Sequence, residues 1–212
     1  MNGWDALISV ELGRAVCQQP WAFATSAPHE QSVNKAAIPT SDPCLPPPVA
    51  IIRRFDRTPN QSRIPYMSGA TLLQSSRNEE HAYTEIVDAM RSRCVVFSAS
   101  AQQLWRRPVF NFLITNVDDH LQNIGFLYVD KNQWQLSPSF DLNPFPDKDR
   151  ESKTWLSEET GPITSVAQLL GQAARFQLKP HEATAVLAEV VNSPAVPKER
   201  LRASRSKVSH FA

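Results

Sequence analysis

The stretch from Leu104 to Asp141 constrains this chain most, because several local signals follow one another there without a gap. Leu104, Trp105, Val109, Phe112 and Leu113 fall on one helical face. Pro108 lies inside that pattern, and proline lacks the N–H that a helix interior needs, so the helix is expected to begin near Arg107 with the proline in its first turn. The polar cluster Asn116-Val117-Asp118-Asp119-His120-Leu121-Gln122-Asn123 comes next. After it, Gly125–Val129 and Trp134–Leu136 flank Asp130-Lys131-Asn132 as the strands of a hairpin flank their turn. Ser139-Phe140-Asp141-Leu142 then puts a carboxylate just past the second strand. This order predicts an α+β fold, mainly α-helical, in which rigid elements present a polar loop.

The flanking sequence extends the pattern. Tyr83, Ile86, Val87 and Met90 stand at i, i+3, i+4 and i+7, one apolar stripe of a helix within 79–93. Val166, Leu169, Leu170, Ala173 and Phe176 predict another, Lys179-Pro180 breaks it, and Ala183, Val186, Leu187 and Val190 predict a third. Upstream, residues 49–57 form a β-branched run ending in charge before Pro59-Asn60, the pattern of a strand leading to a turn. Trp4, Leu7, Ile8 and Leu12 suggest a short helix over 3–16. Residues 22–48 show no period and are rich in proline, so they are expected to lack regular structure. The chain thus divides into an N-terminal helix with a proline-rich insert (1–48), a folded lobe (49–193) and a basic, frayed tail (194–212).

Composition matters where it excludes. With 22 basic and 21 acidic residues the net charge is +1, so no field directs the chain to nucleic acid or to a membrane surface. No stretch approaches the roughly 18 apolar residues of a membrane span, and no basic segment precedes an apolar run at the N-terminus. Cys17, Cys44 and Cys94 are too scattered for a metal pair or a disulfide framework, which fits a cytoplasmic location.

Asp118 and Asn123 have the D-x-x-x-x-N spacing of a protein-kinase catalytic loop, in which the aspartate orients the substrate hydroxyl and the asparagine holds magnesium. Asp141, after the hairpin, stands where a second metal carboxylate belongs. Magnesium takes hard oxygen ligands and keeps several waters, so one carboxylate and one amide oxygen beside phosphates suffice. The blander reading is an Asx-rich turn capping a helix. His120 is either a metal ligand beside Asp118 and Asp119, as in a metallohydrolase, or a hydrogen-bonding brace for the loop; the other histidines, His29, His81, His181 and His210, lie far off in sequence. Asp119 reads as a solvated neighbour or a cap.

On these residues the chain resembles the C-terminal domain of HipA-type toxins, serine/threonine protein kinases of bacterial type II toxin–antitoxin modules. Residues 110–127 and 134–144 carry the resemblance most specifically. Arg53–Arg57 is similar to the segment joining the nucleotide lobe to the helical lobe, and residues 165–191 resemble the late helices. The similarity covers about residues 45–192, more weakly 3–20. It implies the helical lobe of a protein-kinase-like fold with a short catalytic hairpin, with Asp118 as catalytic aspartate and His120 in the same loop. It further implies Asn123 and Asp141 as Mg²⁺ ligands, the backbone near Arg54 and Phe55 facing the adenine of ATP, a protein substrate and an antitoxin partner. Phe55 can equally be an ordinary core aromatic.

A kinase also needs a lysine and a glycine-rich loop to hold the nucleotide phosphates. Upstream of Asp118 the only lysine is Lys35, inside the proline-rich insert, and the only glycines are Gly3, Gly13 and Gly69. The expectation is therefore a truncated kinase lobe that transfers little phosphate alone, the alternative being an inactive remnant or protein-binding module.

Overall fold

The computed structural model describes residues 54–76, 79–143, 152–193 and 196. The helix expected over 3–16, the irregular insert 22–48 and most of the C-terminal tail lie outside these residues.

A three-stranded antiparallel sheet sits beside a group of helices. Its order is β1 (Tyr66–Ser68), β2 (Gly125–Asp130) and β3 (Gln133–Leu136), with β2 in the middle. Met67 pairs with Phe126, and Phe126 with Leu136, so β1 joins the hairpin although more than fifty residues separate them. The hairpin turns at Lys131 and Asn132, whose φ values of 47° and 62° give the doubly left-handed turn that matches strand twist. A register shift between Tyr128 and Asp130 then adds a bulge.

The helices are α1 (Gly69–Leu73), α2 (Tyr83–Met90), α3 (Phe97–Ile114), α4 (Val166–Gly171) and α5 (Pro180–Val191), with 3₁₀ turns at Leu121–Asn123 and Ala173–Phe176. The stripe Tyr83, Ile86, Val87, Met90 is fully buried, as its periodicity requires. Glu85 accepts the Ala82 N–H at 2.6 Å, satisfying one of the donors that the start of α2 leaves open. Pro180 does more than interrupt: it occupies the first turn of α5, where a missing N–H costs nothing.

Two expectations are corrected. The central helix does not start near Arg107; α3 runs from Phe97 through Pro108 to Ile114. An internal proline costs about 3 kcal/mol. Leu104 and Trp105 before it and Val109 and Ile114 after it are all 0% exposed, and burying each such side chain is worth about 1.5–3 kcal/mol. Tertiary burial of both halves therefore outweighs the lost backbone bond. The described end of the expected strand, residues 54–57, is a bend closed by a single bridge between Arg57 and Arg63. The β-branched part of that run lies outside the described residues, and the charged remainder turns back at Gln61, whose φ is 64°.

The core packs α2, α3, the late helices and the inner face of the hairpin around Trp105, Tyr83, Phe110, Phe126 and Phe176. Trp105 donates its indole N–H to the Leu169 carbonyl at 3.2 Å, fixing α4 on α3. Val196, in the segment expected to fray, is 3% exposed and joins this core. Among the described residues no helix is long and apolar enough to cross a membrane.

Candidate functional site

The polar loop begins where α3 stops. Thr115 takes the left-handed conformation at φ 57°, and the Asn116 N–H caps the helix on the Asn111 carbonyl at 2.8 Å. A β-branched residue in that region turns the chain sharply away from the helix axis. The loop then closes on itself: Asn116 Oδ1 accepts the Asp118 N–H at 3.3 Å, and Asn123 Nδ2 donates to the Asp118 carbonyl at 3.0 Å. The amide nitrogen of Asn123 is thus engaged within the loop, while its side-chain oxygen is the atom suited to a cation.

Asp141 reaches the same region from beyond β3. Its φ of 54° is a left-handed value that costs an L-residue roughly 1–2 kcal/mol, less for aspartate than for most. Asn143 Nδ2 donates to its Oδ1 at 3.0 Å. Phe140 beside it packs on Phe55 with centroids 5.5 Å apart and rings tilted by 38°, and meets Tyr66 edge-on at 6.3 Å. Asn123, Asp141, Asp119 and Arg107 line one narrow cleft of about 20 Å³, room for about one water or one small cation. Asp118 is not among the residues lining it. Its carboxylate is held by the Lys153 ammonium, and His120 Nε2 stands 3.9 Å away, beyond hydrogen-bond reach. His120 Nδ1 is buried with no hydrogen-bond partner among the described residues. Phe55 is half-buried and Arg54 exposed; the Arg54 guanidinium binds Asp56 through Nε at 2.7 Å.

Asp119 is neither solvated nor a simple cap, which corrects the sequence reading. At 3% exposed, it accepts hydrogen bonds from Tyr83 Oη at 3.2 Å, Ser152 Oγ at 2.9 Å, and the N–H groups of Lys153 at 2.9 Å and Thr154 at 3.3 Å. Burial pushes its carboxyl above the ordinary aspartate range, and these donors pull it back. Burial, with the Asp119 charge beside it, likewise raises the Tyr83 phenol well above normal. Asn111 Nδ2 donates to Tyr83 Oη at 3.3 Å while its Oδ1 accepts from Asn116 Nδ2 at 3.1 Å, so one buried polar network ties α2, α3, the loop and residues 152–154 together.

Sequence reasoning missed Lys153, Arg107 and Asn111. Lys153 lies 35 residues beyond Asp118, a separation that no local pattern reveals. Arg107 is 6% exposed and binds the Ser137 carbonyl, bracing the start of the segment that carries Asp141. In the sequence it serves only to mark where the helix is expected to begin. For a magnesium ion the Asp141 carboxylate and the Asn123 amide oxygen are hard donors on a shared cleft, while the Asp119 carboxylate that also lines it is taken up by its own hydrogen-bond donors.

Comparison with known proteins bears on the same segments. The sequence profile of the HipA-like C-terminal domain matches residues 32–196. A protein of Haemophilus influenzae whose name proposes that it is a kinase is 26% identical over 109 residues, covering 46% of this chain and 32% of its own length. Among solved structures, HipA from the HipA–HipB–operator DNA complex of Shewanella oneidensis MR-1 superposes with a TM-score of 0.62 at 16% identity, covering 98% of this chain and 52% of that one. The fold is shared with it. The Helicobacter pylori proinflammatory kinase CtkA gives a TM-score of 0.41 at 14% identity over 72% of this chain. The chain spans about half the length of the solved HipA and about a third of the Haemophilus relative.

Proposed function

Because the chain belongs to the HipA-like C-terminal domain family, we propose that it is the catalytic-loop lobe of a serine/threonine protein kinase acting within a toxin–antitoxin module. In the proposed reaction a protein hydroxyl oxygen bonds to the γ-phosphorus of ATP as the bond from that phosphorus to the ADP oxygen breaks. Asp118 orients the hydroxyl and takes up its proton, and ADP leaves as the anion. Asn123 Oδ1 and the Asp141 carboxylate would hold Mg²⁺, which when bound neutralises phosphate charge. The His120 side chain stands in the same loop without a hydrogen bond to brace it among the described residues, its Nε2 3.9 Å from Asp118 Oδ1. The backbone near Arg54 and Phe55, packed against Phe140 through the Phe55 ring, would face the adenine.

The observation that carries this reading is the meeting of Asn123 and Asp141 on one cleft although a hairpin separates them in sequence. An Asx turn that merely capped α3 would have no need of Asp141, nor of a strained backbone at that residue. One observation favours a second, non-catalytic reading: the Asp118 carboxylate is bound to Lys153 and does not line the cleft. That reading makes the chain an inactive lobe that binds a partner protein, an antitoxin by analogy with the HipA–HipB complex.

Incubation with labelled ATP, Mg²⁺ and acceptor protein, with and without a separately expressed nucleotide lobe of a HipA-type kinase, decides between them. Transfer that falls about 100-fold or more in Asp118→Asn and in Asp141→Asn is expected, the usual scale for losing one catalytic electrostatic contact. Transfer indifferent to both substitutions, or none under either condition, refutes the kinase reading and leaves the binding module.

A further inference from the structure

Resting on that kinase reading, we propose that Lys153 is a phosphate-binding residue of the site, its ammonium parked on Asp118 in the resting chain and passing to the γ-phosphoryl group when nucleotide binds. The geometry follows from what Asp118 does in the proposed reaction. A carboxylate that takes the proton of a hydroxyl lies about 2.6–3.2 Å from the attacking oxygen. That oxygen lies about 3–3.5 Å from the phosphorus it attacks. The Lys153 Nζ is hydrogen-bonded to Asp118 Oδ1, so it sits within the reach of its own flexible stem from the equatorial phosphoryl oxygens.

An exposed lysine–aspartate pair ordinarily adds little to stability and needs no function. This one differs in how its backbone is planted. The N–H groups of Lys153 and Thr154 both end on the buried Asp119 carboxylate, Ser152 Oγ does too, and Thr154 Oγ1 donates to the Asp119 carbonyl at 2.5 Å. Thr154 is 1% exposed, whereas the Lys153 side chain is 57% exposed. A rigid anchor thus carries a mobile tip over the Asp118 loop. Such a tip can leave one anion for another without disturbing the fold beneath it.

The charge distribution around the loop asks for such a cation. Arg107 lines the cleft beside Asp141 but is buried and bound to the Ser137 carbonyl, whereas the Lys153 ammonium stands on Asp118, outside the cleft, on an exposed side chain. The other lysines among the described residues stand on other elements: Lys131 turns the hairpin and Lys179 precedes α5. Lysine suits the task better than arginine, being a compact point charge on a flexible stem that can exchange partners.

The test uses inorganic phosphate as probe and phosphorus NMR or calorimetry as readout, on the full chain. Asp118→Asn is expected to raise phosphate affinity about tenfold, because it frees the ammonium. Adding Lys153→Ala to that background should abolish the gain, and adding Lys153→Arg should keep most of it. Equal phosphate affinity in Asp118→Asn with and without Lys153 overturns the proposal. In the transfer assay Lys153→Ala should lower kcat about 10²–10³-fold with little change in KM for Mg-ATP, and Lys153→Arg should restore part of it. Phosphate binding that follows Lys153 without any transfer sinks the kinase reading alone. Transfer that ignores Lys153 sinks the present inference alone.

Discussion

Replacing Asp119 by alanine is the most direct test of whether one buried carboxylate organises the candidate site. In the native chain four donors converge on it: Tyr83 Oη, Ser152 Oγ and the backbone N–H groups of Lys153 and Thr154. After truncation Ser152 can still donate to the Thr154 carbonyl, at 2.5 Å. The Tyr83 hydroxyl and the two N–H groups lose their acceptor. Each buried donor left unsatisfied costs about 1–3 kcal/mol, giving roughly 3–9 kcal/mol before relief. Part of this is recovered, because water can enter the vacated space and the buried charge, which its raised pKa marks as partly desolvated, no longer has to be accommodated. A net loss of about 3–4 kcal/mol is expected. Against a typical total of about 5–15 kcal/mol that is a large fraction, and it should lower a urea midpoint by about 1.5–2 M. Unfolding followed by the fluorescence of the buried Trp105 measures it. Asp119→Asn, which keeps one acceptor oxygen, should lose less than half as much. An Asp119→Ala variant within 0.5 kcal/mol of the native chain would show that the network is not held by this carboxylate, and the argument for a rigid Lys153 anchor would fall with it.

Two further outcomes follow from particular contacts. A Cβ at Gly125 would stand 2.3 Å from Tyr66 Cε2 and 2.8 Å from Ser137 Oγ, so Gly125→Ala should destabilise by about 1–3 kcal/mol through displacement of the Tyr66 ring; a thermal midpoint unchanged within a degree would refute that packing. Burial pushes the Cys94 thiol up from 9.0 to about 11, so between those values the folded chain binds more protons than the unfolded one, and stability present below pH 9 should decline as pH rises through this window. The full effect is about 2–3 kcal/mol, and Cys94→Ala should flatten the decline in denaturation curves measured from pH 8 to 11.

Much of the fold was legible in the sequence because its signals are local. The α2 stripe lies within eight residues, the hairpin turn within three, and the spacing of Asp118 and Asn123 belongs to a single loop whose own hydrogen bonds close it. Asp141 could be singled out because it follows the hairpin directly. Helix α3 was misread at its start because propensity alone forbids an internal proline, and only the burial of residues on both sides of Pro108 overrides it.

What the sequence could not carry is every contact made across the fold. Asp119 looked solvated, since an aspartate between polar neighbours usually is; its donors come from residues 83 and 152–154, at separations of 33 to 36 positions. Lys153 had no motif around it and gains its meaning only from the backbone that Asp119 holds in place. Local sequence thus determined which residue types stand in the loop and which elements flank it, because those depend on turns, caps and periodicity over a few residues. The tertiary structure alone decided which charges face one another, because Coulomb interactions and desolvation depend on distance and burial, and neither is written in the order of the chain.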